Sequence, residues 1–72
     1  MSKTYSQKNN KLLEKLRSAR LEAGLTQVEA SKKLKKPQSY LSKIERGERK
    51  IEAIELGDFA KIYKKSLDYF IN

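Results

Sequence analysis

The one proline of the chain, Pro37, falls between two short helix-forming runs, and no other feature limits the fold so tightly. It cannot donate a backbone hydrogen bond, and it disfavours helix at Lys36 just before it. Its fixed φ suits the opening of a new helix. The run ahead of it, "LTQVEASKKL", places Thr26 and Glu29 in an S/T-x-x-E capping box. Each side chain of such a box satisfies an orphan backbone donor of the other, so a helix is predicted from Gln27 to about Leu34. The run behind it, "QSYLSKIERG", is predicted helical from about Pro37 to Glu45, with Arg46 and Gly47 closing it.

Other helices flank this pair. Leu12, Leu13, Leu16, Ala19 and Ala23 recur at helical spacing, with Lys, Glu and Arg between them, over about Ser6 to Ala23. Gly24 ends that run, as glycine commonly does just past a helix end. Residues 52–63 repeat the pattern, with Leu56, Phe59, Ala60 and Tyr63 on one stripe. Gly57 lies inside that helix at a cost of about 1 kcal/mol relative to Ala, which a close helix crossing would explain. Ser66 is placed to cap a last short helix, "LDYFI". No segment alternates with the period of a strand. The expected architecture is all-α: residues 1–6 as a flexible arm, then 7–72 as one domain of five short helices. Its core is expected to hold Leu12, Leu13, Leu16, Leu25, Leu34, Leu41, Ile44, Leu56, Phe59 and Leu67.

The second helix of the central pair has an unusually thin apolar edge. Only Leu41 and Ile44 are plainly apolar; Ser39, Ser42, Lys43 and Arg46 lie opposite, with Gln38 leading. Such groups donate and accept hydrogen bonds, which suits reading base edges rather than filling a core. Two helices of about eight residues with a three-residue break have the layout of a helix-turn-helix. Its second helix lies in the DNA major groove.

Charge agrees. The net charge is +8, and it is uneven. Residues 1–36 carry ten Lys and Arg against three acids, residues 37–50 four against two, and residues 51–72 three against four. A polyanion contacted by the first two thirds accounts for this bias, though the "KKLKK" run alone reads equally well as a solvated helix face. At 72 residues without cysteine, only one small core can form, and neither a disulfide nor a thiolate metal site is available. Histidine is absent too, which removes the commonest general base and the usual zinc ligand. No phosphate-cradling Gly-rich loop is present, so an enzyme is the weakest reading. No metal, cofactor or small-molecule ligand is expected. No apolar run reaches the ~20 residues of a membrane span, and the polar start is not a secretory signal. A cytoplasmic location is expected.

The stretch "RLEAGLTQVEASKKLKKPQSYLSKIERGER" resembles the lambda-repressor-like, or XRE-type, helix-turn-helix family. The likeness covers residues 12–71. "GLTQ" together with "QSYLSKIERGER" is a specific combination. The resemblance implies a compact five-helix domain that binds double-stranded DNA, usually as a homodimer. It implies that Gln27 reaches a phosphate, that Gln38, Ser39 and Lys43 reach base edges, and that Tyr40, Ser42 and Arg46 lie near the sugar-phosphate backbone. It also implies an internal salt bridge between Arg20 and Glu45. The sequence departs from the family where Leu-Ala is replaced by Ala30 and Ser31, and Gly-Val-Ser by Lys35, Lys36 and Pro37. Lys35 then takes a left-handed conformation that glycine adopts more easily.

Two functions follow. The first is a sequence-specific transcriptional regulator, a repressor in the simplest case. The second is a protein-interaction adaptor or antitoxin-type module with the same fold. Ile62, Tyr69 and Phe70 are the expected dimer surface, since the near-neutral last third lets two copies approach without repulsion. Tyr40 also fits a half-buried packing position.

Overall fold

The computed structural model describes residues 6–71, with side chains from residue 10 onward. Five helices follow in order: α1 (Ser6–Glu22), α2 (Gln27–Leu34), α3 (Gln38–Glu45), α4 (Ala53–Tyr63) and α5 (Leu67–Ile71). Apart from Ser6, which opens α1, the expected arm lies outside the described residues.

Local chemistry sets the starts of these helices. The Thr26 Oγ1 accepts from the Glu29 amide at 3.1 Å, and Glu29 Oε1 accepts from the Thr26 amide at 2.9 Å. The capping box of α2 is therefore complete. Pro37 precedes α3 in an extended conformation, with φ −70° and ψ 157°. The amide of Glu52 donates to Glu55 Oε1 at 2.9 Å at the start of α4. Ser66 Oγ accepts from the Tyr69 amide at 3.3 Å at the start of α5.

The ends share one motif. In α1 to α4 the last turn closes with a paired set of amide-to-carbonyl bonds, spanning five and three residues, around one left-handed residue. Gly24 and Gly47 serve α1 and α3, with φ of 73° and 78°. Lys35 and Lys64 serve α2 and α4, with φ of 61° and 60°. Gly47 has a second reason to be glycine: a Cβ there would meet Leu13 Cδ1 at 3.2 Å, where α1 crosses the end of α3.

The core is built from all five helices. Leu16 and Ala19 of α1, Ala30 of α2 and Leu41 and Ile44 of α3 meet the α4 stripe of Leu56, Phe59, Ala60 and Tyr63, and Phe70 of α5 closes it. Leu12, Leu13, Leu25 and Leu34 pack half-buried around this centre. Leu67 departs from expectation and is 48% exposed. Helix α5 has five residues, and Phe70 takes the one inward position that so short a helix presents, leaving Leu67 at its outer start. Gly57 also departs. No atom lies within 4 Å of a Cβ built there, so no close crossing requires it.

Candidate nucleic-acid interface

Helix α3 is held on one side and open on the other. Leu41 and Ile44 are fully buried, and α3 packs on α1 and α2. Gln38, Ser39 and Lys43 are exposed along the opposite side. The helix is thus fixed by two apolar anchors and one buried acid, Glu45, which is 4% exposed.

That acid is the centre of a network reaching from α1 to the leading end of α3. Arg20 Nε donates to Glu45 Oε2 at 2.7 Å, and Arg20 Nη2 donates to Oε1 at 3.1 Å. Arg20 Nη1 donates to the Leu25 carbonyl at 3.0 Å. Arg20 is itself 8% exposed, so a two-pronged pair replaces water around both charges. The hydrogen bond to Glu45 raises the Arg20 pKa further above its ordinary value. Burial, with Glu45 nearby, pushes the Tyr63 hydroxyl well above the usual tyrosine range, so that neighbour stays neutral. Glu45 Oε1 also accepts from Gln27 Nε2 at 3.0 Å, and Gln27 Oε1 accepts from Gln38 Nε2 at 3.4 Å. Arg17, 57% exposed, adds a longer contact to Glu45 at 3.9 Å.

The remaining side chains fall into two settings. Lys43 makes no ion pair among the described residues. Arg46 is engaged: Nε and Nη2 donate to Glu48 at 3.0 and 3.1 Å, and Nη1 donates to Ser42 Oγ at 3.0 Å. Tyr40 is half-buried, with its ring parallel to Phe59 at 6.4 Å between centroids. Lys36 Nζ lies 5.2 Å and Arg49 Cζ 4.8 Å from the Tyr40 ring centroid, within cation–π reach. Burial and the nearby Glu55 carboxylate push the Tyr40 hydroxyl up to about 12. Arg49 is in turn held by Glu55, through Nη1 at 3.1 Å and Nη2 at 3.0 Å. The ring therefore ties α3 to α4, a packing role beside any contact with phosphate.

The C-terminal residues divide likewise. Phe70, expected at the dimer surface, is instead 4% exposed and belongs to the core of its own chain, because it is the inward residue of α5. Ile62 and Tyr69 are half-buried, while Leu67 and Ile71 are exposed. Lys65 Nζ and Lys15 Nζ sit 4.6 and 5.6 Å from the Tyr69 ring centroid.

The sequence model of the helix-turn-helix family matches residues 16–70. The chain belongs to the XRE-type, lambda-repressor-like helix-turn-helix family. It is similar to the solved structure of an XRE-family like protein from Pseudomonas syringae pv. tomato str. DC3000, at 34% identity and a TM-score of 0.86. The likeness covers 93% of this chain and 82% of that one. No curated protein matches the chain. This helix-turn-helix domain is a DNA-binding rather than an enzymatic one. Among the described residues no helix is long and apolar enough to cross a membrane.

Several contacts of the helix-turn-helix unit had no signal in the sequence. The Arg46–Glu48 pair has a two-residue spacing, outside the three- and four-residue rule for helix neighbours. The Arg49–Tyr40 contact links the connector back to α3. The bond from Gln27 to Glu45 could be suspected only once Arg20 and Glu45 were placed together.

Proposed function

We propose that this domain is a sequence-specific regulator of transcription, acting in the cytoplasm by occupying operator DNA as a repressor. The observation that carries the reading is the exposed row of Gln38, Ser39 and Lys43 on a helix fixed from behind by Leu41, Ile44 and the Arg20–Glu45 pair. Rigid presentation is what base readout needs, because a bidentate contact discriminates by about 1–3 kcal/mol only when its geometry is held. Gln suits adenine and Lys suits guanine. Gln27 keeps one amide hydrogen beyond its bond to Glu45, and that hydrogen is available to a phosphate at the start of α2. Ser42 and Arg46 meet the backbone once Arg46 exchanges Glu48 for a phosphate, and Tyr40 contributes at its open edge.

Two copies act together in this reading. Ile62 and Tyr69, with the exposed Leu67 and Ile71, form the paired surface, and two α3 helices then meet half-sites about 34 Å apart. Selection of bound oligonucleotides from a random pool tests the whole proposal. A palindromic consensus with half-sites one turn apart is expected. Affinity should fall about 10³–10⁵-fold between 50 and 200 mM salt if 6–10 phosphates are neutralised. Recovery of no consensus, with flat salt dependence, refutes sequence-specific binding. Lys43→Ala should relax preference at one base pair by about 1–3 kcal/mol and leave other positions as they were, read by competition with single-base variants.

A further inference from the structure

The domain carries a second basic surface that no α3 residue lines. Two adjoining hollows, of about 400 and 200 Å³, share Lys33 and Ile62 and form a groove between α2 and α4. Its floor is apolar, made by Leu25, Leu34 and Ile62. Its rim is cationic, with Lys33, Lys35, Lys61, Lys64 and Lys65. Glu22 and Asp58 are its acids. Lys65 is bound to Glu22 at 2.6 Å, while the other four lysines have no ion-pair partner among the described residues.

Two of these lysines sit where the backbone resists a side chain. Lys35 and Lys64 are the left-handed residues closing α2 and α4. The chain closes α1 and α3 with glycine, which takes that conformation without steric cost. A lysine near a helix end does favour the dipole, but α2 already has Lys32 and Lys33 in its last turn, and α4 has Lys61. The dipole therefore does not account for a strained lysine at both ends. Both strained residues line the same groove. Backbone strain held at two points of one surface is a pointer to function there.

We infer that the α2–α4 groove docks an acidic, apolar-bearing segment of a partner protein. The apolar floor receives aliphatic side chains, and the lysine rim receives carboxylates. Glu22 on Lys65 already displays that rim contact within the chain. A nucleic-acid backbone would match the lysines but leave the floor of Leu25, Leu34 and Ile62 without a use, so protein is the favoured occupant. The inference goes beyond the DNA reading: no α3 residue lines the groove, and Ile62 is the one residue it shares with the proposed paired surface.

The test uses the full chain with a short synthetic peptide alternating Glu with Leu, and its Lys-for-Glu counterpart as control. In methyl and amide NMR the acidic peptide should move Leu25, Leu34 and Ile62 and leave Gln38, Ser39 and Lys43 in place. The control should move neither set. The double variant Lys35→Gly/Lys64→Gly should melt higher than the parent, because glycine relieves both left-handed positions. The same variant should weaken the peptide by about tenfold or more, while the consensus it selects from the random DNA pool stays unchanged. A loss of binding in a more stable protein excludes unfolding as the cause. Unchanged peptide affinity in that variant overturns the inference. So does perturbation confined to α3. Displacement of the peptide by a random-sequence duplex would reassign the groove to nucleic acid. Concentration-dependent shifts of Leu25 and Leu34, which lie outside the proposed paired surface, without peptide would reassign it to a second copy.

Discussion

Ser31 shows what a single misfit atom does in a core this small. It is 2% exposed, and its Oγ has no hydrogen-bond partner among the described residues. A buried hydroxyl without a partner is destabilising, and serine is also a poorer helix former than alanine. Both effects point the same way, so Ser31→Ala should stabilise the domain by roughly 1–2 kcal/mol in denaturant titration. Gly57 makes a matching case. An added Cβ would meet no neighbouring group within 4 Å, so Gly57→Ala should gain about 1 kcal/mol of helix propensity. That is a rise of roughly 4–8 °C in melting temperature for a domain of this size. The sequence marked Gly57 as a cost, and only the folded structure shows that no packing requires it. Leu67 is the opposite instance: its chemistry suggested burial, but the one-turn length of α5 leaves it at the rim. Composition tells which residues prefer the interior, not which of them find room there.

At the scale of elements, the helices were legible because their end signals are local. Thr26 with Glu29, Pro37, Gly24, Gly47 and Ser66 each act within a few residues, and all of them stand at helix boundaries. Contacts between elements were less legible. Arg20 with Glu45 was available through family resemblance, whereas Arg49 with Glu55 and with the Tyr40 ring was not. The latter group joins the connector to α4 and is sensitive to acid. Arg49 and the Glu52 amide hold the Glu55 carboxylate below its ordinary value of 4.5. A depressed carboxylate stabilises the fold above its unfolded pKa, and that contribution disappears as pH falls through the lower folded value. The melting temperature should therefore drop as pH is taken below about 4.5, and Glu55→Gln should be less stable at pH 7 yet show a shallower acid dependence. Parallel acid profiles for the two proteins would contradict this.

At the scale of the molecule, one buried pair joins the first helix to the third. Arg20 and Glu45 are 25 residues apart in sequence, and their side chains are 10% and 2% exposed. Removing one partner strands the other charge away from water. Arg20→Ala should cost about 3–5 kcal/mol, a large share of the stability of a small domain. Arg20→Ala paired with Glu45→Ala should cost less than the sum of the two single changes, measured by a double-mutant cycle in urea.

Helices α2 and α3 are eight residues long. Segments so brief do not persist alone in water, because nucleation outweighs the few bonds that follow. The helix-turn-helix geometry therefore exists only while α1, α4 and α5 hold it, and it vanishes with them in one step. DNA binding and resistance to proteolysis are then two readings of a single equilibrium, and adding a DNA that the domain binds should protect the chain against a protease to the same degree that it raises the melting point.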